Sequence, residues 1–133
     1  MISTTFNILK AHRACTARYR YLTKALGGVK AYGADKTIPL TRVLKINGVS
    51  DTYWVLRNAA VLPGDCKKID AARRVINKAW DKADCVYEAK MKPVWQAYWD
   101  GGSREAYIRV RNNAHAVLLK TLRPIIAKVI KDA

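Results

Sequence analysis

The chain has 133 residues, with 25 Lys and Arg against 10 Asp and Glu, for a formal net charge of +15 at neutral pH. Half of it is hydrophobic, which excludes a disordered basic tail, because such tails bury too little to offset the entropy of ordering. No apolar run approaches the ~20 residues that cross a bilayer, so no membrane partner is expected. The length predicts a single domain over 1–133, large enough to bury roughly two-thirds of its unfolded surface.

A first helix is predicted over Thr4–Leu26, capped by Ser3, Thr4 or Thr5 and ended by Gly27-Gly28. Its buried stripe would be Ile8, Ala11, Cys15, Tyr19, Leu22 and Leu26, at spacings of three and four. Val29–Lys36 follows as a loop. A short helix over Pro39–Ile46 stops at Asn47-Gly48, and a third, capped by Ser50 or Asp51, runs to about Ala60. Pro63-Gly64 makes a turn, and Asp65 caps a long fourth helix with the stripe Ile69, Ala72, Ile76, Ala79/Trp80, Ala83 and Tyr87. Acid-first pairs Asp70–Arg74 and Glu88–Lys92 support it. Pro93 predicts a kink or short break. Asp100-Gly101-Gly102-Ser103 is a turn. The fifth helix runs from Arg104 towards Lys131 with a kink at Pro124 and the stripe Tyr107, Ala114, Leu118, Leu122, Ile125 and Val129. No segment sustains period-two alternation. The pattern predicts an all-α single-domain bundle of about five helices, the two C-terminal ones long and antiparallel.

The charge is uneven along this layout. Residues 1–50 carry nine basic residues and one acid, residues 51–100 nine and seven, residues 101–133 seven and two. Opposite the apolar stripe of the first helix, Lys10, Arg13, Arg20 and Lys24 fall into one basic ridge; Arg109, Lys120, Arg123 and Lys131 do the same on the last. A field of this sign attracts polyanions. Each ridge can be a solvated face or a binding face.

Signals for catalysis are poor. Neither of the two histidines, His12 and His115, sits in a recognisable motif, and the chain has no G-x-S-x-G, P-loop or H-E-x-x-H pattern. Cys15 lies on the expected buried stripe, where a thiol packs rather than reacts. Cys15, Cys66 and Cys85 are too few and too scattered for a disulfide framework or a zinc site. Asp81, Asp84 and Glu88 share one side of the fourth helix with Lys78, Lys82 and Lys92 nearby, which fits a salt-bridged solvent face. No enzyme activity, cofactor or metal is expected. The Pro39–Ile46 and Ser50–Ala60 pair has the size of a helix-turn-helix, but its second helix is too apolar to be a recognition helix.

Trp95, Tyr98 and Trp99 share one helical face beside the Gly-Gly turn. Core packing, a protein interface and base stacking are open to them, in that order. Arg111 falls on the apolar stripe of the last helix near Tyr107 and Ala114. Buried there, it would need Asp51, Asp84 or Glu105 as a partner, or would point into a dimer interface. A phase slip near Asn112-Asn113 would remove the conflict.

The runs Ile8-Leu9-Lys10-Ala11-His12, Gly27-Gly28-Val29-Lys30-Ala31-Tyr32-Gly33, Ile38-Pro39-Leu40 and Asn47-Gly48-Val49-Ser50-Asp51, with Trp54, Leu56 and Arg57 following, carry a resemblance. Together they look like small, largely uncharacterised helical proteins of bacteriophages and bacteria, some labelled immunity proteins. The resemblance covers roughly the first half of the chain. It brings no catalytic residues and implies a mobile-element origin with a role played by binding. The start lacks a secretory h-region, so the expected location is the cytoplasm of a bacterial host cell. The absence of acids before Asp35 would also fit a transit peptide. The expected partner is nucleic acid or a host nucleoprotein complex, reached through the basic ridges, so as to block host defence (of the CRISPR or restriction type) or redirect host functions; a homo-oligomer is allowed. A protein-binding inhibitor using the aromatic face and a virion packaging protein are the alternatives.

Overall fold

The computed structural model describes residues 1–61 and 66–133. The expected turn at Pro63-Gly64 and the cap at Asp65 lie outside them. The described residues form an all-α bundle: α1 (Phe6–Ala11), α2 (Thr16–Ala25), α3 (Val29–Tyr32), α4 (Leu40–Asn47), α5 (Val49–Asn58), α6 (Cys66–Trp99) and α7 (Arg104–Asp132). A two-stranded antiparallel ribbon, β1 (Ser3–Thr4) and β2 (Ile38–Pro39), accompanies them.

The predicted first helix is two helices. α1 is capped by Thr5, whose Oγ1 accepts from the Ile8 N–H at 3.1 Å. It ends at His12, because Arg13 takes a left-handed backbone, φ 56°. The Ala14 N–H then donates to the Leu9 carbonyl at 3.0 Å and the Arg13 N–H to that of Lys10 at 3.1 Å. These are the two closing bonds of a helix that turns away through a left-handed residue. α2 ends the same way at Gly27, φ 89°, where the left-handed residue is the expected glycine. At Arg13 the conformation costs about 1–2 kcal/mol for an L-residue. The elbow takes Ala11 and Cys15 off the core; both are exposed, while Leu22 and Leu26 are buried as expected.

What holds α1 is the segment before it. Ile2 to Phe6 are all buried. Ser3 exchanges two hydrogen bonds with Val61, at 2.9 and 2.8 Å, and the Leu40 N–H donates to the Ile2 carbonyl at 3.0 Å. Two paired residues are too short to show period-two alternation, so the ribbon has no sequence signature. Val29–Tyr32, expected as loop, is a single helical turn.

α4 packs on α2, α5 and α7, and α5 packs on α6 and α7. α4 and α5 thus lie between α2 and the long hairpin. α5 buries Val49, Thr52, Val55 and Leu56 in this layer, as a core helix rather than a recognition helix. It starts at Gly48, so neither Ser50 nor Asp51 caps it; Asp51 instead meets Arg18 at 3.6 Å and accepts from Asn47 at 2.9 Å.

α6 is unbroken through Pro93, and α7 through Pro124. Both prolines are exposed, so the carbonyls they leave without a donor face the solvent side. Gly101, φ 93°, turns the chain between them, and a Cβ on Gly102 would lie 2.5 Å from the Ala97 carbonyl oxygen. Ser103 Oγ caps α7 by accepting from the Ala106 N–H at 3.3 Å. The two helices run antiparallel: Tyr87 meets His115 edge-on at 6.5 Å, and Trp95 meets Tyr107 twelve residues further round the turn. The buried stripe of α6 follows Ile69, Ala72 and Ile76, with Trp80 stacked on Tyr53 at 4.2 Å. On α7 it follows Ala114, Leu118, Leu122, Ile126 and Ile130, so the expected Ile125 and Val129 sit one residue out of phase. Asp70 pairs with Arg73 at 3.2 Å rather than with Arg74, and Arg73 Nε also donates to the Leu56 carbonyl at 2.7 Å.

The core cluster takes its hairpin residues from the N-terminal half of α6 and the C-terminal half of α7. The other halves, with the turn, extend past it as a two-helix projection sealed by Met91 and Ala114. No helix of the described residues is long and apolar enough to cross a membrane.

Candidate functional site

The elbow at Arg13 builds the first site. A groove of about 490 Å³ opens between the end of α1 and the start of α2, lined by Lys10, Arg13, Ala14, Thr16, Tyr19 and Arg20. Lys10 comes from the last turn of α1, Arg13 from the elbow itself, and Arg20 from the second turn of α2. All three are exposed, and among the described residues none of their side chains makes an ion pair or hydrogen bond. Tyr19 is fixed from behind by Phe6, ring to edge at 5.8 Å, and Phe6 also meets Tyr32 at 5.7 Å. The groove is therefore tied to the core by an aromatic trio.

The predicted continuous ridge is thus corrected. A straight helix would string Lys10, Arg13, Arg20 and Lys24 along one face; the elbow instead folds Lys10, Arg13 and Arg20 around a cavity. Lys24 lies a turn beyond Arg20 on α2 and does not line it. Like charges held around one cavity repel, and a bound anion relieves that repulsion.

Arg13 carries the cost of this arrangement. Glycine there would relax the backbone, so Arg13→Gly should stabilise the fold by about 0.5–1 kcal/mol net of the unfolded-state entropy of glycine. It should also weaken polyanion binding about tenfold at ~0.1 M salt, the effect of one lost phosphate contact. Urea unfolding and a binding titration on the same variant check both signs.

Arg109, Lys120 and Arg123 are exposed on α7, again with no ion pair among the described residues. They lie fourteen positions apart end to end, about 21 Å of helix. None lines the groove at the elbow. Arg109 lies on the projecting half of the hairpin, and Lys120 and Arg123 on the half that backs the core.

The second site is at the hairpin tip. Trp95, Tyr98 and Trp99 of α6 and Arg104, Tyr107, Ile108 and Arg111 of α7 line a cup of about 390 Å³. Trp95 Nε1 donates to the Tyr107 hydroxyl at 2.9 Å, and Tyr98 lies 5.2 Å from Tyr107. Arg111 sits over the Tyr107 ring, 5.8 Å from its centroid. The aromatic face is therefore not core: Trp99 is 80% exposed and Tyr98 37%. Arg111 is exposed too and, among the described residues, pairs with none of Asp51, Asp84 or Glu105. Its stripe neighbour Ala114 is buried, whereas the longer Arg111 side chain lies over Tyr107 at the rim of the cup, where no third layer of the core cluster reaches.

The sequence missed Thr16 and Tyr19 in the groove and Arg104 in the cup. The first two needed the elbow. Arg104 was accessible, because a short turn between antiparallel helices places the first turn of α7 opposite Trp95–Trp99.

The remaining candidates scatter. His12 and Cys15 are exposed, as are Asp81, Asp84 and Glu88. A smaller cavity of about 230 Å³ between α2, α4 and α5 is walled by Leu9, Leu22, Val43, Trp54 and Val55, with the Arg18–Asp51 pair at its rim. No family model, curated protein or solved structure matches the chain.

Proposed function

We propose that the protein is a non-enzymatic, phage-type accessory protein of the host cytoplasm that binds nucleic acid, bare or within a host nucleoprotein complex, and so blocks host defence or redirects host functions. The observation that carries the reading is the groove at the α1–α2 elbow. Three cations without ion pairs among the described residues, one of them in a costly left-handed backbone, surround a cavity open to solvent. Backbone strain persists where the surroundings enforce it, and it gathers at functional positions. Lys10, Arg13 and Arg20 would hold phosphates; Lys24, Arg109, Lys120 and Arg123 would add long-range attraction and further contacts.

The test is the salt dependence of binding to duplex DNA. Each phosphate neutralised contributes about −0.9 to the slope of log K against log[salt]. The slope should fall between about −2.7, for the groove cations alone, and about −6.3, for all seven cations. Failure to bind DNA or RNA at ~50 mM salt, where the term is strong, overturns the proposal.

A further inference from the structure

We infer that the cup at the hairpin tip is a second nucleic-acid site, one that stacks an unpaired base against Trp99 and holds its flanking phosphates with Arg104 and Arg111. The inference rests on the nucleic-acid reading above and adds the form of nucleic acid: single-stranded, or a duplex with an unpaired end or junction.

The chemistry of the cup selects this occupant. Trp99 offers an open indole face at 80% exposure, and Tyr98 closes one side, 6.1 Å away and inclined at 64°. Any base has a π-face, so stacking on such a platform is tolerant of sequence. Arg104 and Arg111 stand two turns apart on one face of α7, about 10.5 Å along the axis. Neither has an acidic partner among the described residues. Tyr107 accepts its hydrogen bond from Trp95, which leaves its own hydroxyl proton to donate to a ligand oxygen. An aromatic wall beside two unneutralised guanidinium groups suits a ligand that is both planar and anionic. No unmodified side chain combines an aromatic face with an anion at neutral pH, and a nucleotide supplies both.

Position supports the same occupant. The cup sits at the end of a two-helix projection that the core cluster does not reach. A base in a duplex is stacked on its neighbours and cannot reach a flat aromatic platform without being extruded. The cup therefore serves single strands, and the elbow groove, which needs only phosphates, serves both forms.

The experiment compares a labelled single strand of about 12 nucleotides with a blunt duplex of similar length at ~50 mM salt. The full chain, Trp99→Ala, Trp99→Phe and Arg104→Gln/Arg111→Gln are titrated by polarisation, and tryptophan fluorescence is followed. The single strand should quench the fluorescence of the full chain. Trp99→Ala should weaken single-strand binding about 5- to 140-fold, the worth of one stacked base, with duplex binding unchanged. Trp99→Phe, which keeps a ring, should restore most of the loss. The double arginine variant should also weaken single-strand binding. Because Trp99 is so exposed, its loss leaves the fold intact, which circular dichroism checks. Duplex binding by the full chain with Trp99→Ala weakening both forms alike, or neither, overturns the cup and leaves the elbow groove standing. Loss in Trp99→Ala of binding to a protein target but not to either oligonucleotide makes the tip a protein interface and overturns it as well. Failure of the full chain to bind either form overturns both readings.

Discussion

Replacing Lys10, Arg13 and Arg20 together by glutamine should lower affinity for duplex DNA by two to three orders of magnitude at ~0.1 M salt and flatten the salt slope by about 2.7. The size follows from counterion release. Each cation on a phosphate frees about 0.9 of a condensed counterion, worth close to tenfold at that concentration. All three side chains are exposed and line the groove without ion pairs among the described residues. Removing their charge should cost the fold little, and the relief of mutual repulsion works in its favour. Lys78→Gln/Lys82→Gln/Lys90→Gln is the control, with equal charge removed from exposed positions of α6 that have no assigned contact. If that variant loses as much as the groove variant, the protein responds to its overall field and the groove is not a site. A salt titration by fluorescence polarisation distinguishes the two.

The second large effect concerns Phe6. Phe6→Ala should destabilise the protein by about 3–5 kcal/mol, the usual cost of deleting a fully buried aromatic ring, from a total of about 5–15 kcal/mol for a domain. Phe6 has no exposed surface and joins three segments, packing edge-on against Tyr19 of α2 and against Tyr32 of α3. α1 has only six residues, far below the length at which a helix persists alone. Its place depends on Phe6, Leu9 and the paired N-terminal segment. Urea unfolding should show a lower midpoint at an unchanged slope. Nucleic-acid binding under native conditions should weaken as well, because Lys10 is positioned by α1. A stability loss under about 1 kcal/mol would show that the trio does not anchor the elbow.

On the proposed function, the two sites divide the work. The groove at the elbow offers charge with one aromatic ring fixed from behind, the chemistry proposed above for a phosphate backbone. The cup at the tip offers aromatic faces with two guanidinium groups, the chemistry proposed above for an unpaired base. They lie on parts of the chain joined through the intervening α4–α5 layer, and a ligand long enough to reach both would gain from effective concentration without any new contact.

The periodicity of apolar residues was enough to locate the long hairpin. Ile69, Ala72 and Ile76, and Ala114, Leu118 and Leu122, are buried as their spacing requires. The Gly101-Gly102 turn and the Ser103 cap are equally local, since each follows from the backbone freedom or hydrogen-bonding capacity of the residue itself. Composition also placed the excess charge at the two ends. The break in the first helix was not legible, because its left-handed residue is Arg13 and the local rule expects glycine. Besides its local closing bonds, the burial of Phe6 between Tyr19 and Tyr32 and the pairing of Ser3 with Val61 hold the chain around that conformation, and these contacts join residues far apart in the chain. The exposure of Arg111 and Trp99 was hidden for a related reason. Helical phase says which way a side chain points along a helix, but whether a large side chain there is covered depends on what packs over the hairpin. Along α6 and α7 the core cluster covers one half and not the other, so identical spacing yields core near Ile76 and Leu122 and an open cup near Trp99 and Arg104.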